Sequence, residues 1–514
     1  MHLLPIDREI LRIACPAIAT NITVPLLGLV DVAIVGHIGN ARYIGAIAIG
    51  TMMFNVIYWL FAFLRMGTSG LTAQAYGAGN IAECHRMLRE SVTIAMTLAL
   101  ILLIIQYPIR RMAYLLFDPP ATMIPLINTY YDICIWGMPA MLSLYAMSGW
   151  LIGMQNTRAT MAIAVSQNII NIALSLMFVF VLHMDIAGIA LGTVLAKWAG
   201  TIIAVLSVRR ETELKRKKTN TRKNNEQHPV GQAIVRESNN NPLNTYDDTT
   251  VKSQNQPHPA PHIPHPYITE INSTKLTHTA PPATKLHPSL KSLFKPYLSI
   301  FLRTLFLVLV NTCFVAYGTS MGEQTLAVNT LLMQLFMLFS YIMDGFAYSG
   351  EALGGKYLGA GNPLRLKMTV HRLFRWGLGA MLIFTIAYAF GAQTFLTLLT
   401  HDNNLITAAH PYLAWIIAVP CAGMAAFVWD GIFIGTTKTW SMLIATITAA
   451  ACFFAMWLLC NSRWGNHALW LAFITFLVMR SVVQTYLWTK NNPTIKNKTA
   501  KNIHMHDKHK IYNK

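Results

Sequence analysis

Five ionisable residues, Asp31, Arg65, Asp344, Glu351 and Asp430, lie in stretches otherwise composed of apolar residues. A charge at the centre of a membrane helix costs about 2.5–3.5 kcal/mol on insertion scales, so each is a candidate for function. Asp31 sits in NITVPLLGLVDVAIVGHIG, residues 21–39, with no basic residue within a helical turn. A carboxyl there is suited to taking up and releasing a proton or metal cation, because its bare charge is costly to bury. A structural, hydrogen-bonding aspartate is the competing reading. Pro25, six residues earlier, removes a backbone hydrogen bond and can kink the helix that carries Asp31. Arg65 could pair with an acid on another helix or touch substrate. Asp344 and Glu351 stand seven residues apart, near one face of a helix, among Gly345, Gly350, Gly354 and Gly355. Those glycines suit close helix packing better than ligand binding. Asp430 precedes a short turn and could cap it or pair locally. Asp132 and Asp185 fall nearer the ends of apolar stretches.

The elements that must position these residues are membrane helices. Of 514 residues, 54% are hydrophobic and 12% charged, with a mean hydropathy of +0.42. Soluble domains carry roughly 25% charged residues. Twelve apolar stretches, near 9–37, 42–76, 88–108, 123–152, 158–183, 186–208, 296–320, 325–355, 368–396, 405–435, 438–460 and 466–489, are long enough to span. The expected fold is therefore an all-α membrane protein of twelve helices. An even number of spans puts both termini on one side. Most of the 40 Lys and Arg share that side, whereas only Arg42, Arg110, Arg111 and Arg463 fall in loops opposite. The positive-inside rule then places both termini in the cytoplasm. The net charge of +19 is accounted for by topology, so nucleic acid is not an expected partner. Membrane lipids and small-molecule substrates are.

The chain divides into four parts: residues 1–209, a polar segment 210–295, residues 296–490 and a basic tail 491–514. The polar segment contains Lys215-Arg216-Lys217-Lys218 and a Pro/His-rich stretch, with few apolar residues to offset the entropy of ordering it. It reads as a disordered cytoplasmic linker, and its irregularly spaced histidines do not suggest a metal site. The seven cysteines form no CxxC and read as packing residues. No signal-peptide cleavage site follows a short apolar core near Met1, so the first helix is expected to be retained. The two apolar halves repeat. Gly77-Ala78-Gly79-Asn80 recurs as Gly359-Ala360-Gly361-Asn362, and Gly149 and Gly153 recur as Gly431 and Gly435, all at one offset of 282. Gly36 with Gly318, and Phe54 with Phe336, keep the same offset. Each half has six spans, so the halves share orientation and their pseudo-twofold axis runs along the membrane normal.

There is no HExxH, GxSxG or Walker A sequence, so no enzyme activity and no cofactor are expected, and transport would draw on an ion gradient. NITVPLLGLVDVAIVGHIG, LRMGTSGLTAQAYGAGN (64–80), DGFAYSGEALGGKYLGAGN (344–362) and DGIFIGTT (430–437) resemble the multidrug and toxic compound extrusion (MATE) family, in its DinF-like branch. The resemblance covers both halves and excludes the linker and tail. It implies a two-lobed antiporter that exports amphipathic, often cationic compounds in exchange for H⁺ or Na⁺ across a bacterial inner membrane. It also implies that Asp31 is the coupling acid, with Tyr130, Asn171 and Thr193 as polar partners. The branch commonly has an aspartate four residues after the asparagine, where this chain has Ser175 in QNIINIALSLMF (167–178). One of two coupling carboxylates is thus absent, and Asp185, ten residues further on near the outer end, does not replace it. A flippase for lipid-linked precursors is the nearest alternative; a non-transporting receptor or scaffold using residues 210–295 is the alternative from another class. A monomer is the expected state.

Overall fold

The computed structural model describes residues 4–36, 41–227, 290–400 and 402–490; the side chains of residues 24–29 and 31–33 are among those outside the described set. Among the described residues every regular element is a helix. The first half contains α1 (Pro5–Gly36), α2 (Ala41–Phe61), α3 (Phe63–Gly77), α4 (Ile81–Ile104), α5 (Gln106–Phe117), α6 (Ile124–Cys134), α7 (Met138–Gly153), α8 (Thr157–Leu176) and α9 (Asp185–Gln227). The second contains α10 (Leu290–Ser320), α11 (Glu323–Gly359), α12 (Pro363–Leu399), α13 (Asn403–Ala409), α14 (Leu413–Gly435), α15 (Thr439–Trp464) and α16 (Asn466–Lys490). Among the described residues eleven apolar helical segments are long enough to cross a bilayer. With its 32 residues, α1 supplies the twelfth span. The outer surface explains the composition: Ile104, Leu115, Phe390, Leu398, Leu458 and Leu459 are each more than 70% exposed. So much bare aliphatic and aromatic surface suits hydrocarbon and not water.

Several spans are broken where the sequence suggests one helix. The stretch 42–76 is two helices meeting at Ala62, where Ala62 N–H donates to Trp59 and Arg65 N–H to Ala62, a tighter i to i+3 pattern. One 3₁₀ turn, Ile135–Gly137, separates α6 from α7 just before Pro139. Another, His410–Tyr412, surrounds Pro411 between α13 and α14. Proline lacks the donor that an uninterrupted α-helix would need there. The polar segment also begins later and ends earlier than 210–295. Residues 210–227 continue α9 as helix, with Lys215 3.5 Å from Glu211, and α10 starts at Leu290. Arg, Glu and Lys are good helix formers, and the i,i+4 pair adds to that preference. Residues 228–289 and the tail 491–514 lie outside the described residues.

The repeat is visible atom by atom. Asn80 caps α4 by accepting from Glu83 N–H at 3.0 Å, and Asn362 caps α12 by accepting from Arg365 N–H at 2.9 Å. Each follows a glycine with positive φ, 73° at Gly79 and 62° at Gly361. The lobes meet along α3 and α11 in reciprocal contacts. A Cβ on Gly77 would run into the Lys356 carbonyl, and one on Gly359 into that of Gln74. Within each lobe the match continues: a Cβ on Gly149 would strike the Arg65 carbonyl, and one on Gly431 that of Ala347. Each contact is its partner moved by the repeat. Ser69 touches Glu351, its own equivalent at a separation of 282, and one turn on Ala73 touches its equivalent Gly355. Equivalent residues can meet at successive turns only if the two helices run parallel with the axis between them. The pseudo-twofold therefore runs along the helices, which is the direction of the membrane normal.

Candidate functional site

Two polar clusters are buried in this apolar body, one within the N-lobe and one between the lobes and within the C-lobe. In the N-lobe, α8 packs on α1, where Asn168 donates to the Thr23 carbonyl at 3.3 Å. On the same helix Asn171, 3% exposed, donates through Nδ2 to Thr193 Oγ1 of α9 at 3.2 Å. Thr193 in turn donates to the Ile189 carbonyl at 2.9 Å. Asn171 Oδ1 and Ser175 Oγ, one turn apart, are buried and have no hydrogen-bond partner among the described residues. Ser175 lies against Gly192, where α8 and α9 come close, and α8 widens into a π-helical turn at Met177–Val181 directly after it. Tyr130 is buried elsewhere in the lobe. Its hydroxyl is 3.3 Å from Thr51 Oγ1, and its ring packs on Gly50 and edge-on to Phe54. The structure thus joins Asn171 with Thr193 and places Tyr130 with α2. The backbone of Asp31 is in α1, and its side chain is outside the described residues.

The second cluster was partly legible. Arg65 of α3 reaches across the lobes to Glu351 of α11 at 3.3 Å, and its guanidinium lies 4.2 Å from the centroid of the Tyr348 ring. Ser69 donates to the same Glu351 oxygen at 2.6 Å. Glu351 is 1% exposed, so this is a dry pair that ties one lobe to the other. Asp430 neither caps a turn nor pairs locally. It accepts from Arg303 of α10, from Arg480 of α16 at 2.6 Å and from Gln484 at 2.6 Å. The partners come from helices 50 and 127 residues away in sequence, and no local pattern points to them. Their presence in apolar spans was the only signal. Lys197 is a further residue of this kind: it donates to the Tyr58 hydroxyl, with its ammonium 4.4 Å from the ring centroid. Asp344 stands on the face of α11 that carries Tyr348 and Glu351, and is partly open to solvent.

The glycines around Asp344 do what close packing requires. A Cβ on Gly345 would strike Ile18 of α1, and Gly350 and Gly355 lie against α14 and α3. Further bonds join the lobes beside them. Asn21 donates to the Tyr341 carbonyl at 2.9 Å, Gln74 to the Gly435 carbonyl at 2.8 Å and Gln155 to the Ala352 carbonyl at 2.7 Å. Glu9 accepts from Lys356 at 2.7 Å and from Tyr357 at 2.8 Å. The lobes are therefore shut against each other at the end bearing the two Gly-Ala-Gly-Asn turns.

Comparison with known proteins agrees with this architecture. The MatE family model matches residues 16–177 and 299–456, one block in each lobe. DNA damage-inducible protein F of Escherichia coli K12 is 30% identical over 485 residues, covering 94% of this chain and 92% of that protein. A probable multidrug resistance protein NorM of Acinetobacter baylyi is 24% identical over 197 residues, covering 37% of this chain and 43% of that one. In fold, the chain is similar to the crystal structure of the Vibrio cholerae MATE transporter VcmN in the bent form, with a TM-score of 0.72, 15% identity and coverage of 96% and 98%. Two repeated six-span lobes and a family match in each lead to one conclusion: the chain belongs to the MatE family of multi-pass membrane transporters.

Proposed function

We propose that this transporter is a cation-coupled antiporter of the bacterial inner membrane, with both termini cytoplasmic, exporting small amphipathic or cationic compounds by alternating access. The observation that carries the reading is the pair of buried oxygens, Asn171 Oδ1 and Ser175 Oγ, without partners among the described residues, on the helix packed against α1. Buried polar atoms are nearly always hydrogen-bonded, and an orphaned pair calls for a bound water or ion. Asp31 on α1 would supply the charge, with Asn171 and Thr193 aligning oxygens around the site and Tyr130 acting from its separate place against α2. Binding and release there would bend α1 about Pro25. The lobe contacts at the Gly-Ala-Gly-Asn end, cytoplasmic by the positive-inside rule, support an outward-facing state.

Conversion to the inward-facing state must break the Arg65–Glu351 pair and separate α3 from α11. An ion released on one side and rebound on the other would bias that equilibrium by its differential affinity for the two states. The relatives named for multidrug resistance support drug-like substrates for this chain. The test is dye efflux from proteoliposomes under separately imposed proton and sodium gradients. Efflux driven by either gradient supports the reading. Efflux indifferent to both removes the antiport mechanism.

A further inference from the structure

The start of α1 docks on the opposite lobe through its acids. Glu9 meets Lys356 and Tyr357 of α11 and Arg365 of α12, at 2.7, 2.8 and 3.9 Å. Asp7 meets Arg372 at 3.4 Å and accepts from Trp376 at 3.2 Å, both on α12. Shifting these charged residues by the 282-residue repeat reverses or removes each sign. Glu9 corresponds to Lys291 at the start of α10, and Asp7 to Ser289. Lys356, Arg365 and Arg372 correspond to Gln74, Glu83 and Glu90 on α3 and α4. An acidic helix end with a basic cradle in one half is matched by a basic helix end with an acidic cradle in the other.

The acidic cradle is one cation short. Arg86 lies between its carboxylates, 2.6 Å from Glu90 Oε1 and 3.8 Å from Glu83 Oε2. One arginine against two carboxylates leaves one negative charge over. The side chains of Glu83 and Glu90 are only 19% and 20% exposed. Their remaining oxygens, Glu83 Oε1 and Glu90 Oε2, are buried without a hydrogen-bond partner among the described residues. Buried carboxylate oxygens are normally paired, so this face calls for a further cation.

The start of α10 is in place to supply it. Tyr297 of α10 crosses to the N-lobe, with its ring against Gly67. Its hydroxyl is 3.0 Å from Thr68 Oγ1 on α3 and 2.8 Å from Ser91 Oγ on α4. Both α4 and α10 begin at the Gly-Ala-Gly-Asn end and run the same way. Lys291 stands six residues before Tyr297, about 9 Å of helix rise back toward that end. Glu83 stands eight residues before Ser91, about 12 Å back, and Glu90 immediately precedes it. Lys291 therefore comes level with the stretch of α4 between the two acids. Its backbone is in α10, and its side chain is outside the described residues.

We propose that the acidic face of α4 is a docking surface for the start of α10, where Lys291 closes on Glu83 and Glu90 as a second clamp between the lobes. Reversed polarity makes the two clamps selective. The acids of α1 fit the bases of α12 and are repelled by the acids of α4, so each helix end has one cradle. Both clamps lie at the end that must part in every cycle of alternating access, and in that respect the inference rests on the antiport reading. Lys291 is then a gating residue whose charge helps hold the cytoplasmic end shut.

The first test is a double-variant cycle on the purified full-length protein, read by melting temperature. Lys291→Met and Glu83→Gln should each lower it, and together they should cost less than their sum, because the second removes a partner already lost. Lys291→Glu should lower it further, and adding Glu83→Lys should recover at least half of that loss. Additive losses in the cycle, or no recovery by the charge swap, overturn the proposal. Proximity is tested separately with Lys291→Cys and Glu83→Cys together in a Cys84→Ala background. A short bis-methanethiosulfonate, removable by reduction, should bridge the two thiols and stop efflux until it is reduced. No bridge in a well-folded protein, or full efflux by a bridged one, also overturns the proposal. A wild type that shows no gradient-driven efflux contradicts antiport, while a coupled cycle and a formed bridge would still establish the clamp.

Discussion

Ser69 and Glu351 occupy the same position in the two repeats, 282 residues apart, and are hydrogen-bonded to each other at 2.6 Å. Two equivalent residues in contact must straddle the pseudo-twofold axis. Their inequality breaks the symmetry of the transporter: one lobe contributes a hydroxyl to the axis, the other a carboxylate that also captures Arg65.

Cutting that pair should loosen the closed end. Glu351→Gln keeps the size and the bond from Ser69 but leaves Arg65 without its buried counterion, a loss of about 3–5 kcal/mol. Ser69→Ala removes one hydrogen bond, about 1 kcal/mol. Thermal unfolding in detergent, together with thiol labelling of single cysteines near Gly77, should rank Glu351→Gln as clearly the more disruptive. Equal effects would show that the charge contributes little.

The reciprocal crossing of α3 and α11 makes a paired prediction. Gly77→Val and Gly359→Val each push a side chain into a carbonyl of the opposite lobe. Each should destabilise by about 1–3 kcal/mol, the range for overpacking. The double variant should fall short of the sum, since both act on one interface. Melting curves of the three proteins measure this. A cost at one glycine and none at the other would contradict the symmetry.

Asp430→Asn should leave Arg303 and Arg480 buried and repelling each other, costing about 3–5 kcal/mol. Adding Arg480→Gln should recover part of that, because it removes one of the two stranded charges. Melting temperatures of the single and double variants test the triad, and no recovery would contradict it.

Much of this arrangement is legible in the sequence, for definite reasons. The Gly-Ala-Gly-Asn motifs were legible as a repeat, and the structure gives each a positive-φ glycine followed by an N-capping asparagine, local features that the recurrence alone did not name. The glycines of α11 were readable as packing residues because small side chains have few other uses in a membrane helix. The Arg65 pair was readable as a possibility, since a buried arginine needs an acid. Which acid was not, because that depends on how α3 and α11 rotate against each other. The same reason hid the Asp430 partners on α10 and α16. The breaks at Ala62, Pro139 and Pro411 lie inside continuous apolar stretches, and hydropathy does not register them. Residues 210–227 were read as unstructured from their polarity, although Lys, Arg and Glu favour helix when a preceding helix has already supplied the nucleus.

Topology is testable without function. Accessibility labelling of single cysteines should place positions 240 and 505 in the cytoplasm and position 402 outside. An outside label at 240 would contradict the twelve-span arrangement.

Ser175 stands where a second carboxylate would complete the N-lobe site, one turn from Asn171 and fully buried. Ser175→Asp should therefore give two carboxylates that titrate as a coupled set. The pH dependence of efflux in proteoliposomes should broaden or shift relative to the wild type. A curve superimposable on the wild type would separate Ser175 from the coupling site.

The central claim is that Asp31 exchanges the coupling cation. The most direct test is gradient-driven efflux by Asp31→Asn in proteoliposomes, with expression and melting temperature as controls. Asparagine keeps the size and hydrogen bonding of a protonated aspartate but can neither release a proton nor carry the charge that holds a metal cation. Efflux should be abolished while folding and much of the substrate binding persist, with Ser175 offering no second carboxylate to rescue it. Normal coupled efflux by a well-folded Asp31→Asn protein would contradict the account and move coupling to the acids of the C-lobe.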